Sequence, residues 1–412
     1  MRARGRMQHA VFVLPFALET TLRFVQGAAS LQGVRLSVVS QDGLEKLPES
    51  LRAQLLGHWR LDNCFDPRQL AQAVRELSAR YGPVDRMIGV LEQLQVPLAQ
   101  ARDLLGLPGH SAAVAHNFRD KAQMKDVLRA AGVPCARHRL VERSDEALAF
   151  IAEVGFPVVV KPPAGAGGAR TFRLDGMPDL QRYLAEYPPA TRGVSLFEEF
   201  IRGTEHSFDS VVLDGRPVWY SISRYMPSPL EVMENPWIQW CVLLPRHVDV
   251  PEYATIREVG FRALNALGMR TGLSHMEWFR RADGSVAVSE VGARPPGAQF
   301  TTLLSYAHDL DFYRAWPRLM IFSEFDPPPR VYAAGAAYVR GQGRGHVKRI
   351  HGLDVAQREL GHLVVEAKLP RADQTPSTSY EGDGYIIVRH ERTEVVEAAL
   401  KRIVSLIRVE LG

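Results

Sequence analysis

The stretch SHMEWFRRADGSVAVSEVGARPPG, residues 274–297, constrains this chain more than any other. It reads as two strands joined at Asp283-Gly284, the dipeptide favoured in two-residue hairpin turns. With that turn, residues whose numbers add to 567 face each other, so Glu277 stands across from Glu290 and His275 across from Gly292. Directly opposed like charges destabilise a sheet pair. At roughly 5 Å and an effective dielectric of about 20, the repulsion is about 3 kcal/mol. Solvent screening, protonation of one carboxyl or a bound cation would each relieve it. Only the cation predicts anything further. Magnesium takes hard oxygen ligands, often one or two carboxylates plus substrate phosphates, so phosphate-handling residues should stand elsewhere in the chain.

The rest of the sequence bounds where to look. A chain of 412 residues is too long for one simple core, and two or three domains are expected. The excess of 50 basic over 46 acidic residues suits an anionic small ligand, and no concentrated basic block or aromatic-basic stripe indicates nucleic acid. Cys64, Cys135 and Cys241 are far apart and show no zinc-ligand spacing, so reduced thiols in a cytoplasmic protein are expected. The start MRARGRMQHAVFVLPFALETT has no A-x-A-like cleavage site, and no apolar run reaches membrane-spanning length.

Residues 1–118 read as an α/β domain. HAVFVLP, VRLSVVS and VDRMIGV are strand-length apolar runs. DPRQLAQAVRELSARYG is a helix with Asp66 as cap, Pro67 at its first position and Gly82 as stop. Alternating elements predict a parallel sheet. The loop LPFALETT after the first strand lacks the glycines of a dinucleotide fingerprint, which disfavours an NAD role.

Residues 119–325 read as α+β. DKAQMKDVLRAAGVP is a helix with Asp120 capping and Gln123 reciprocating, and EHSFDSVVLDGRPVWYSIS is a hairpin turning at Asp214-Gly215. Residues 223–253 carry five prolines and no clear period, and read as a mobile or substrate-facing loop. DPPPR opens a small α+β segment over residues 326–412.

FPVVVKPPAGAGGARTF puts Lys161 at a strand end before Gly165, Gly167 and Gly168, a loop whose N–H groups could fold over phosphates beside an ammonium. A flexible turn with a surface lysine is the alternative. Lys121 lies in a first helical turn, where the macrodipole disfavours cations unless an anion sits between them. In VSLFEEFIRGTEHSFD, Glu198 and Glu205 could bracket a flat ligand or form a solvated acidic edge.

Taken in order, RDK, KPPAGAGG, EEFIRGTE and MEWF…SEVGARPPG resemble the ATP-grasp superfamily, and most closely its carboxylate–amine ligases: L-amino-acid ligases, D-alanine–D-alanine ligase and the biotin carboxylase fold. The resemblance covers the middle region, and the preceding α/β region is similar to a pre-ATP-grasp domain. It implies that Lys121 and Lys161 contact ATP phosphates under a lid containing Gly165, Gly167 and Gly168. Glu198 would meet the adenine amine, Glu199 and Ile201 would offer backbone groups to the ring, and Glu205 would hold the ribose. Glu277 and Glu290 would bind Mg2+, with Mn2+ as a substitute, and Arg294 would steady the transferred phosphoryl group.

Gly292 departs from the family's usual Glu-x-Asn, so a second metal would lack that ligand. The QVEH continuation of biotin carboxylases is also missing, which counts against bicarbonate carboxylation. His275 would position substrate, carry a proton or bond to backbone. Arg224 and Arg344 are candidate carboxylate anchors, and Trp237 and Trp240 candidate pocket walls. The implied activity is an ATP-dependent ligase for a small carboxylate and an amine. A phosphotransferase on the same scaffold and a nucleotide-sensing module are the alternatives. A homodimer is the default assembly.

Overall fold

The computed structural model describes residues 6–165, 170–188, 193–235 and 237–412. Four strands, β1 (Gln8–Val13), β2 (Val34–Ser40), β3 (Gly57–Arg60) and β4 (Arg86–Ile88), form the expected parallel sheet in the order β3-β2-β1-β4. β1 is apolar along nearly its whole length because helices cover both of its faces, as parallel sheets require. The Pro67–Tyr81 helix is capped as read: Asp66 accepts from the N–H groups of Arg68 and Gln69, and Gly82 ends it at φ 93°.

A second sheet, antiparallel, takes the order β5-β8-β6-β7 from β5 (His138–Val141), β6 (Val158–Lys161), β7 (Phe172–Leu174) and β8 (Ser195–Glu199). The main sheet is antiparallel with eight strands. It contains β9 (Thr204–Leu213), β10 (Arg216–Met226), β11 (Cys241–Leu244), β12 (Gly272–Arg280), β13 (Val286–Gly292) and β14 (Ala333–Val339). A three-stranded sheet holds β15 (Gly341–Gln342), β16 (Val347–His351) and β19 (Arg408–Leu411), while β17 (Val364–Lys368) and β18 (Gly384–His390) complete the main one. The main order is β13-β12-β9-β10-β11-β14-β18-β17. Part of the segment 326–412 therefore continues the main sheet, because β14 pairs with β11. Among the described residues no helix is long and apolar enough to cross a membrane.

Three local readings need correction. The expected loop over 223–253 contains the end of β10, the Pro229–Glu234 helix and β11, which lies inside the main sheet. Four fully buried residues, CVLL, are too few to show a period. Gln123 does not reciprocate the cap made by Asp120; its amide reaches Asn117 instead.

The third concerns the hairpin of the opening stretch. Arg281 donates to the carbonyl of Ser285 and Gly284 to that of Arg281, with Gly284 at φ 81°, which makes a three-residue loop. That shifts the pairing by one, so Trp278 faces Val288 and Phe279 faces Ala287. A bulge at Ser289 then restores the count, and Glu277 does face Glu290. The hairpin at Asp214-Gly215, by contrast, is a two-residue turn with φ of 50° and 82°.

Candidate active site

One pocket collects the residues singled out from sequence. β6 brings Lys161, β8 brings Glu198 and Glu199, β9 brings Glu205, β12 brings Glu277 and β13 brings Glu290. Lys121, Gly165, Ile201 and Arg294 complete the lining. Gly167 and Gly168 lie outside the described residues.

Every cation here has an acidic partner. Lys121 Nζ is 2.8 Å from Glu290 Oε1 and donates to the Gly165 carbonyl at 3.2 Å. Burial pushes Glu290 upward, but Lys121 and Lys161 outweigh it and hold its carboxyl below the ordinary range. For Glu277 burial and Glu290 outweigh His275, Lys161 and Lys121, and its carboxyl is raised. The repulsion inferred from the sequence is thus borne unequally across the pair. Two hard oxygen donors, half-buried and facing, fit a divalent cation. Among the described residues no three or more His, Cys, Asp or Glu side chains converge as a metal cluster.

The carboxylate of Glu198 lies 2.8 Å from Lys125 Nζ and 2.9 Å from Lys161 Nζ, so it also orients the two lysines. Burial would raise Glu198, but the two ammonium groups pull it down to about 2. Lys125, which the sequence reading did not single out, is fully buried and also donates to the Ser289 carbonyl at 2.7 Å. It ties the phosphate-side lysine to the bulge that aims Glu290. Glu199 turns its carboxylate to Arg137, and its N–H donates to the Arg137 carbonyl. Glu205 is buried at the pocket wall, and burial and Glu277 raise its carboxyl well above the usual range.

His275 bonds a side chain, not backbone: its Nδ1 is 2.6 Å from Asp209 Oδ1, and its Nε2 is 3.9 Å from Glu277 Oε1. Asp209 is fully buried and is held by the Ser207 hydroxyl. Arg294 bonds Glu92, from the parallel-sheet region, and donates to the Pro295 carbonyl. Burial opposes its charge, but Glu92 overrides that and keeps the guanidinium ionised.

Of the other candidates, Trp240 lines the pocket while Trp237 is 64% exposed. Arg224 bonds Tyr253 and Glu252, and Arg344 is exposed; neither lines the pocket. Glu92, Tyr225 and Tyr380 were missed. They sit far from the motifs along the chain, and only the fold delivers them.

A model of the carbamoyl-phosphate synthase L chain ATP-binding domain matches residues 120–185. An L-arginine-specific L-amino acid ligase from Bacillus subtilis is 24% identical over 288 residues, covering 68% of each chain. A D-alanine–D-alanine ligase from Xanthobacter autotrophicus is 28% identical over 268 residues, which are 61% of this chain and 76% of that one. An L-amino acid ligase from Bacillus licheniformis superposes with a TM-score of 0.78 at 20% identity, covering 99% of both chains.

Proposed function

We propose that this chain, an ATP-grasp protein by its fold and motif order, is an ATP-dependent ligase. It joins a small carboxylate, such as an amino acid, to an amine through an acyl phosphate and releases ADP and phosphate. The observation that carries this reading is the facing pair Glu277 and Glu290, set in one pocket with Lys121, Lys161 and Arg294.

A free carboxylate is a poor electrophile, so an amine cannot displace its oxygen directly. Attack of the carboxylate oxygen on the γ-phosphorus forms the acyl phosphate, and ADP leaves with the bridging oxygen. The amine then attacks the acyl carbon and phosphate departs. Lys161, oriented by Glu198, and Lys121, at its helix N-terminus, face the phosphates. Arg294 presents its guanidinium to the charge that develops on the transferred group. Glu277 and Glu290 would hold Mg2+ or Mn2+, which when bound neutralises phosphate oxygens. Ile201 offers backbone groups to the adenine ring and Glu205 accepts from ribose hydroxyls. Residues 119–325 form the nucleotide-binding domain, residues 1–118 precede it, and residues 326–412 complete its sheet and close the pocket with Tyr380.

Two outcomes are expected when amino acids are screened pairwise with ATP. ADP release should require both a carboxylate and an amine. Complete chelation of divalent metal should abolish it, and added Mg2+ or Mn2+ should restore it. Release indifferent to every substrate offered, or turnover that survives chelation, would contradict the reading.

A further inference from the structure

Glu92 belongs to none of the motifs, yet its carboxylate reaches the pocket from the turn after β4. One of its oxygens bonds Nε of Arg294, and the other lies 3.9 Å from Arg119 Nη1. Arg119 in turn donates to the carbonyls of Ala164 and Gly165, both at 2.9 Å. The carboxylate is only about a tenth exposed, at 10%.

Room for it comes from Gly292. A Cβ added there would stand 3.5 Å from Glu92 Oε2 and 3.7 Å from Cγ of Arg294. That is ordinary contact for one carbon, but an asparagine would press its amide into the volume the two side chains share. The missing side chain at 292 therefore does more than remove a metal ligand.

We infer that Glu92 is the positioning residue for Arg294, that Gly292 admits it to the site, and that Arg119 ties the pair to the root of the glycine-rich loop. The inference rests on the ligase reading, in which Arg294 meets the transferred group. A guanidinium held by a fixed carboxylate keeps one orientation, and its remaining donors stay aimed into the pocket.

Steady-state kinetics of the full chain at saturating carboxylate and amine test it. Glu92→Ala should lower kcat roughly 10²-fold, as a misplacement of about 1 Å does, while leaving KM for ATP near wild type. Glu92→Gln, which keeps an oxygen acceptor for Arg294, should recover part of the loss. Gly292→Asn should lower kcat in the same way, and Glu92→Ala combined with Gly292→Asn should be no worse than Gly292→Asn alone, because both remove one contact. A Glu92→Ala enzyme with normal kcat overturns this inference alone. So does a double variant whose losses multiply, or a loss of kcat matched by an equal loss of ATP affinity. A wild-type protein without amine-dependent ADP formation overturns the ligase reading and takes this inference with it.

Discussion

Replacing Arg294 by alanine is expected to lower kcat by roughly 10²–10³-fold, equivalent to about 2.7–4 kcal/mol, the effect of losing one preorganised donor aimed at developing charge. KM for ATP should hardly move, because Lys121 and Lys161, the proposed phosphate contacts, are held by Glu290 and Glu198 independently of Arg294. Arg294→Lys should recover only part of the rate. It restores the charge, but not the planar fork whose Nε holds Glu92 while Nη1 holds the Pro295 carbonyl. Steady-state ADP release and calorimetric ADP binding separate the two effects. Parallel losses in kcat and in ADP affinity would make Arg294 a nucleotide-binding group and remove it from the chemical step.

The second large effect concerns folding. Lys125→Met removes an ammonium that is fully buried. It leaves Glu198 with Lys161 as its one remaining cation and the Ser289 carbonyl without that donor. Breaking a buried pair by removing one partner destabilises by about 3–5 kcal/mol. Urea unfolding followed by fluorescence should show a loss of that order, and turnover should fall with it, since Lys161 and the bulge beside Glu290 lose a common support. A variant as stable as wild type would mean that water or a rearranged lysine takes over.

The same network predicts a pH dependence. Glu198 is held down at about 2, against an ordinary value of 4.5, with its charge opposed by burial and favoured by Lys125 and Lys161. A depressed carboxyl stabilises the fold fully above its ordinary value. That contribution is lost as pH falls from about 4.5 through about 2. Lys125→Met should flatten this part of the acid-unfolding curve.

How far the sequence disclosed this site depends on the range over which each residue acts. Strong local signals survived: Asp66 and Gly82 bound their helix as read, and Asp214-Gly215 makes its two-residue turn. The facing of Glu277 and Glu290 was reached by a simple count, and the structure arrives at it by another route. A three-residue loop shifts the register, and a bulge at Ser289 shifts it back. Bulges have no reliable sequence signature, and here two offsets cancel.

The lysine partners of Glu198 are chosen by tertiary structure. Seven residues separate Glu198 from Glu205, a spacing that suggested a bracket around a ligand, and one carboxylate is enclosed by lysines from the Lys121–Ala130 helix and β6. Lys125 carries no local signal of its role, which rests on its contacts with Glu198 of β8 and the Ser289 carbonyl. Glu92 lies 202 residues from Arg294, beyond the reach of any local pattern. β11 was hidden for the opposite reason: it is short, apolar throughout and surrounded by prolines.

The acyl phosphate is the step on which the account turns, and oxygen-18 placed in the substrate carboxylate tests it most directly. The carboxylate oxygen that attacks phosphorus must leave with the phosphate when the amine displaces it. The account predicts released phosphate carrying one heavy oxygen for each amide formed, with ADP unlabelled. Phosphate without label, alongside normal amide formation, would contradict it.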